Sequence, residues 1–422
     1  MVRARRAWVG LVAAILPGLC WIAFGAQPTA AAASSSELVS GSQVHRSPGL
    51  PTGKPYIVAL GDSYSSGEAG RWAGSSNTSV SSADALGPTA YFDNASSTAE
   101  RVPGCHRSRS SQAHIGGGVG GETLSCSGAR TTTYFARSGD FKPGLDFYRD
   151  ADGHVGQARS LMRFASAHRV AMVVVSIGGN DFDFGSVVRR CVTAFLTSPS
   201  WAKDLCSDDM EVVENFTDFH ADIVTGRISL ALLRVREAMR RAGYRDAAWS
   251  LVVQTYPSPL PGRPGLWRYP QSGFTRQSVG GCGFWNDDAR WANSQALATI
   301  NASIEAAVSR SGIAGTKVLD LAAVFNGRRL CESGVGLYEE VGLTSWRQPG
   351  AVDQTEWINQ IRTLSALVSP YEIQESLHPN YWGHLALRRC VRKVYHDGAP
   401  RSGSCVIGGS GLLNGEPRMQ LR

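Results

Sequence analysis

Short apolar runs alternate with amphipathic stretches over most of this chain. Strand-like runs lie at Tyr56–Leu60, Val170–Ile177, Trp249–Thr255 and Lys317–Leu321. The second, Val-Ala-Met-Val-Val-Val-Ser-Ile, is apolar at nearly every position, as in a strand buried on both faces. Helical spacing occupies 157–168, 218–242, 287–310, 354–368 and 381–396. Strand, helix, strand, helix over this length predicts an α/β fold with a parallel sheet covered on both sides. Two long segments, 71–150 and 257–286, interrupt the alternation. They are rich in Gly, Ser, Pro and aromatic residues. Loops of that length are usually functional or disordered, and Cys105, Cys126 and Cys282 in or beside them argue for order. No internal repeat is evident. Residues 34–54 read as a linker, the folded domain as 55–398, and 399–422 as a C-terminal tail.

The first 33 residues have the order of an export signal. Arg3, Arg5 and Arg6 precede an apolar stretch from Ala7 to Ala26, followed by the small-residue run Ala30–Ala33. A cleaved signal peptide and a secreted, extracellular protein are therefore expected. The apolar stretch is long, so an uncleaved membrane anchor stays open as the alternative. Cys20 follows Leu19 where a lipoprotein signal has a small residue. There are nine cysteines, and loss of Cys20 with the signal leaves eight. In an oxidising compartment these are expected as disulfides. Spacing does not set the connectivity. The simplest arrangement joins neighbours: Cys105–Cys126, Cys191–Cys206, Cys282–Cys331 and Cys390–Cys405.

A 43% apolar content suits a globular domain with a sizeable core. The net charge of +7 is spread along the chain. It suits nonspecific association with an anionic cell envelope. It forms no basic patch of the kind nucleic-acid binding requires, so no nucleic-acid partner is expected. Zinc-type Cys or His spacings are missing from the sequence, and no metal is expected.

Three short motifs carry the candidate chemistry. Gly61-Asp62-Ser63 follows the first strand-like run directly. Strand ends of parallel sheets are where ligands bind, and a serine there is a candidate nucleophile, given a base to take its proton. Read alone, the motif is equally a strand-to-helix turn with capping side chains. Gly178-Gly179-Asn180-Asp181 ends the second strand-like run. Its Asn180 is a candidate oxyanion donor, beside the N–H of Ser63 and that of Gly128 in Ser127-Gly128-Ala129. His378-Pro379-Asn380 supplies a candidate base about 315 residues after Ser63. His384 is the nearest competing imidazole and reads as a surface residue of the last helix. Glu375, three residues before His378, is the candidate orienting acid, with the Ser376 main-chain carbonyl as the alternative. Asp62, Asp181 and Asp183 read as bonding loop backbone.

These blocks, Gly61-Asp62-Ser63-Tyr64-Ser65, Ser127-Gly128, Gly178-Gly179-Asn180-Asp181 and His378-Pro379-Asn380, resemble those of the SGNH (GDSL) hydrolases. The chain is similar to secreted bacterial esterases and lipases of that superfamily over about 55–398. The resemblance implies a three-layer α/β/α sandwich, flavodoxin-like, with a central parallel sheet. It implies Ser63 as nucleophile, Ser63, Gly128 and Asn180 as oxyanion donors, His378 as base, and no cofactor. The family usually carries Asp where Glu375 stands, and some secreted relatives use a main-chain carbonyl. The α/β-hydrolase fold expects Gly-x-Ser-x-Gly at its nucleophile, and Ser65 occupies the last position here.

A secreted, monomeric serine esterase or lipase is the expected function. Its substrate is an ester, either a lipid acyl ester, an acetylated glycan or a small ester. Trp72, Trp267, Tyr269, Phe284, Trp285 and Trp291 are candidates to line its groove or to pack loops onto the core. An inactive envelope- or carbohydrate-binding protein on the same fold and an acyltransferase are the alternatives.

Overall fold

The computed structural model describes residues 49–363 and 372–422. The expected signal segment, and the expected linker as far as position 48, lie outside the described residues. The main sheet has seven strands. In chain order they are β1 (Tyr56–Gly61), β2 (Gly120–Thr123), β3 (Val170–Ser176), β4 (Ser250–Gln254), β5 (Lys317–Asp320), β6 (Gly403–Leu413) and β7 (Glu416–Leu421). Their order across the sheet is β2-β1-β3-β4-β5-β6-β7. All neighbours pair in parallel except β6 and β7. The first five follow the doubly wound order in which the chain switches sides between β1 and β3.

Alternate residues of the central strands feed two different cores. Val58, Leu60, Val173, Val175, Leu251 and Val253 pack with Leu161, Ile228, Leu232 and Ile304 on one face. Ile57, Met172, Val174, Val252 and Leu319 pack with Trp382, Leu385 and Ala386 on the other. The sheet is thus the middle of three layers, and each fully buried aliphatic side chain contributes about 1.5–3 kcal/mol. The covering helices are α1 (Gln157–Ala167), α2 (Phe184–Thr197), α3 (Asp218–Arg241), α4 (Leu297–Ser311) and α5 (Tyr381–Tyr395). In α1 the buried Ala158, Leu161 and Ala165 recur at helical spacing. In α3 the Thr217 hydroxyl accepts the His220 N–H at 3.3 Å, and Arg240 and Arg241 meet the dipole's negative end. In α5 the Asn380 side chain accepts the Gly383 N–H at 3.2 Å.

The four expected strands lie within a residue or two of their observed bounds. Three features differ. Helical spacing at 354–368 does not yield a helix where it is described. Ala351–Gln354 makes one turn, and 355–363 runs without regular structure. Its N–H groups go to other loops, Trp357 to Arg328 at 2.8 Å and Ile361 to Gly281 at 2.7 Å. Buried Glu356, Asn359 and Gln360 interrupt any apolar stripe there; the rest of that stretch, 364–371, lies outside the described residues. Secondly, α2 and the Gly-rich β2 have no counterpart among the expected elements. Thirdly, the stretch after Ala399 is not a tail. It is the β6–β7 hairpin, which extends the sheet past β5. Its turn is Asn414-Gly415, both at positive φ, a strong local hairpin signal.

All four expected disulfides are present, Cys105–Cys126, Cys191–Cys206, Cys282–Cys331 and Cys390–Cys405. The last ties the hairpin to α5 across a separation of 15 residues. Among the described residues no helix is long and apolar enough to cross a membrane. Replacing Cys390 and Cys405 together by Ala is predicted to lower unfolding free energy by roughly 3 kcal/mol, on the chain-entropy account of a loop this size. Urea unfolding followed by circular dichroism measures it.

Candidate active site

The carboxyl ends of β1 and β3 lie side by side, with Gly61 opposite Ser176. This is the switch point where doubly wound sheets open a crevice. Gly61 turns the chain at φ +123°, and a Cβ there would lie 1.8 Å from the Ser176 carbonyl oxygen. Only glycine fits that approach. The Gln157 amide brackets the residue, accepting the Gly61 N–H at 2.7 Å and donating to its carbonyl at 2.8 Å. Asp62 then caps the single helical turn Ser63–Ser66 by accepting the Tyr64 N–H at 3.1 Å. The N–H groups of Ser63 and Gly128 have no backbone acceptor among the described residues.

His378 Nε2 lies 2.7 Å from Ser63 Oγ. The chain between them is held by its neighbours. The Tyr64 hydroxyl donates to the Leu377 carbonyl at 3.1 Å. Asn359 and the 377–378 segment exchange bonds of 2.9 and 3.1 Å. Leu377 takes φ +62°, a conformation that surrounding contacts must impose on a branched side chain. His378 Nδ1 is buried and has no hydrogen bond among the described residues, although it looks onto the main-chain carbonyls of Ser376 and Gln374. Burial lowers the His378 pKa below the usual imidazole value, and the charge of Glu68 and those carbonyls offset this in part.

Glu375 is not at His378. Its carboxylate accepts the Trp72 indole N–H at 2.7 Å, the Glu372 N–H at 3.0 Å and the Tyr91 hydroxyl. Trp72 and Tyr91 turn it toward the 71–150 segment, where it anchors loops instead of orienting the imidazole. Burial raises its pKa to about 7. His384 is not on the surface. It is fully buried, with Nε2 2.8 Å from the Glu68 carbonyl, and burial lowers its pKa to about 4.

Ser63, Gly128, Asn180 and His378 line one cavity of about 510 Å³. Asn180 Nδ2 donates to the Ala129 carbonyl at 2.9 Å, which uses one of its two N–H bonds. The cavity continues between Val187, Val192, Leu196, Leu260, Phe284 and Ile300. Of the six loop aromatics singled out from sequence, only Phe284 lines it. Trp72, Trp285, Tyr269 and Trp291 are buried in packing.

Tyr256, at the end of β4, was not legible as a site residue. Its hydroxyl donates to the Asp62 carboxylate and accepts the Gly179 N–H at 3.1 Å, joining the two motifs at the crevice. Position alone, just past a strand's carboxyl end, was the available signal. Asp181 accepts the Thr131 N–H at 3.0 Å, as its sequence reading anticipated, whereas Asp183 faces Arg130 at 3.5 Å. Asp150, Asp152 and His154 bring three ligand atoms within 4.8 Å of one another, with His154 Nδ1 2.8 Å from Asp150.

No family model matches the sequence, and no curated protein matches it. Among solved structures, the chain is similar to an extracellular lipase from Streptomyces rimosus at 18% identity and a TM-score of 0.39, over 80% of this chain and 99% of that one. It is also similar to phospholipase A1 from Streptomyces albidoflavus NA297 at 18% identity and a TM-score of 0.43, over 81% and 99%.

Burial raises the pKa values of Asp62 to about 7 and Glu356 to about 8, in the same sense as Glu375. Carboxylates nearby raise His106 to about 9 against its burial. Between pH 6.5 and 9 the native state therefore keeps protons that the unfolded chain has released, and stability falls with rising pH. The melting temperature is predicted to drop across that interval, and calorimetry at pH 6.5, 8 and 9 reads it.

Proposed function

We propose that the protein is a secreted carboxylic ester hydrolase of the SGNH type, acting on esters with an apolar acyl chain. The observation that carries this reading is the 2.7 Å contact of His378 Nε2 with Ser63 Oγ in the lining of a mostly apolar cavity. Ser63 Oγ adds to the ester carbonyl carbon as Nε2 takes its proton. The carbonyl oxygen becomes an oxyanion, and the N–H groups of Ser63, Gly128 and Asn180, three residues that line the cavity, are its proposed donors. Collapse breaks the bond to the alcohol, which leaves with the proton from Nε2. Water repeats the sequence on the acyl-Ser63 and releases the acid. The paired disulfides and the export-like N-terminus support a secreted setting.

An inactive binder would have a displaced or blocked Ser/His pair, and the contact and open cavity oppose that. The apolar lining favours a lipid acyl ester over an acetylated glycan.

Native protein is predicted to label with a fluorophosphonate probe and to hydrolyse p-nitrophenyl esters faster as the acyl chain lengthens from acetyl to octanoyl. Ser63→Ala is predicted to lose labelling and at least about 1,000-fold in kcat. Retained turnover in that variant would exclude Ser63 as nucleophile. A steady fall in rate from acetyl to octanoyl would exclude the acyl-chain assignment.

Activity requires neutral His378, whose pKa lies below the ordinary imidazole value. The acidic limb of kcat/KM is therefore predicted below about pH 6.5. A limb above pH 7 would contradict the burial of this imidazole.

A further inference from the structure

Glu68 is fully buried, five residues after Ser63, in the run Ser65-Ser66-Gly67-Glu68-Ala69-Gly70. Its backbone carbonyl accepts from His384 at 2.8 Å. One carboxylate oxygen lies 2.8 Å from His106 Nδ1. The other is buried with no hydrogen bond among the described residues. His106 is itself 3% exposed and held at φ +49°, the kind of backbone outlier that gathers at functional sites. Tyr91 stacks on its ring at 4.4 Å. The Gln374 side-chain amide meets its Nε2 at 2.7 Å, a bond that a charged ring makes to the amide oxygen, and Glu372 and Glu100 stand 3.4 and 3.6 Å from that atom. The two residues thus bridge the segment that carries Ser63 and the segment, 372–378, that carries His378. The Cys105–Cys126 disulfide fixes His106 beside the loop of Ser127 and Gly128.

We infer that the buried Glu68–His106 pair is a positioning device for this site, with the Glu68 carboxylate supplying the negative charge for His378 that Glu375 does not. The inference rests on the hydrolase reading above. Of the charged groups around His378, Glu68 favours its protonated form and His106 opposes it more weakly. His384 is held neutral by burial. Burial alone would keep Glu68 protonated, but the charge and hydrogen bond of His106 hold its pKa below the usual value. Glu68, Glu100 and Glu372 in turn keep His106 charged. The pair therefore keeps a carboxylate ionised in a buried place, where one charge is felt strongly by its neighbours. When His378 takes the proton of Ser63, that charge stabilises the imidazolium. Glu68 does not line the substrate cavity, so substrate binding does not involve it.

The test is Glu68→Gln, with ester hydrolysis measured from pH 4.5 to 9. The expected result is a kcat lower by about tenfold or more with KM little changed, and an acidic limb displaced to lower pH by about half a unit or more. A residue with a purely structural part lowers activity without moving the limb. A limb that stays in place, or moves to higher pH, overturns the inference. If Glu68→Gln does not accumulate as folded protein, Glu68→Asp carries the test. It keeps the charge but draws it back by one methylene, so the limb moves the same way by less, and an unmoved limb again overturns the inference. Fluorophosphonate labelling of each variant separates the two questions. Labelling lost in Ser63→Ala but retained at position 68 variants, with the limb fixed, sinks only this inference. Native protein that never labels sinks the hydrolase reading itself.

Discussion

One hydrogen bond, from Ser63 to His378, spans 315 residues of sequence, and most of the architecture serves to close it. A serine at the tip of β1 is chemically inert without a base. His378, the proposed base, sits on a loop before α5 and has no local reason to be near it. Three features hold it there. The switch in strand order opens the crevice between β1 and β3. Gly61 lets the backbone leave β1 against Ser176. Tyr64, next in sequence to Ser63, bonds the carbonyl that precedes His378.

The polar groups behind that contact form a connected set. Asp62, Tyr256 and Gly179 link the first and second motifs. Glu68 and His106 link the first motif to the segment before His378. Glu375, Tyr91 and Trp72 link that same segment to the long 71–150 insertion. Each link places a titratable group out of water, where a missing partner would be costly. The long loops are therefore part of the site's support, and two disulfides, Cys105–Cys126 and Cys282–Cys331, tie them down.

The sequence shows the central strands clearly, because β1, β3 and β4 are apolar on both faces and end at glycine, serine or proline punctuation. It shows Ser63, Asn180 and His378 because their motifs sit at strand ends or before a helix. It does not show β2, whose Gly-Gly-Glu-Thr has no strand pattern, or the 355–363 stretch, whose burial comes from loops far away in sequence. Glu375 looked correct by spacing, yet the direction of a side chain at i−3 depends on tertiary donors such as Trp72 and Tyr91. His384 looked exposed from its position in an amphipathic helix. It is covered by the turn after Ser63, and no local pattern reports such a contact. The C-terminal hairpin was missed, because its Gly-rich β6 reads as a tail, although Asn414-Gly415 is the local signal of its turn.

The central claim is spatial, and a crystal structure of the protein reacted with diethyl p-nitrophenyl phosphate, which loses p-nitrophenolate as it bonds to a serine, tests it most directly. The account predicts phosphorus bonded to Ser63 Oγ. It also predicts the phosphoryl oxygen within about 3 Å of the N–H groups of Ser63, Gly128 and Asn180, with His378 Nε2 beside the adduct. Phosphorus on another residue, or an oxygen that meets none of those donors, would contradict it.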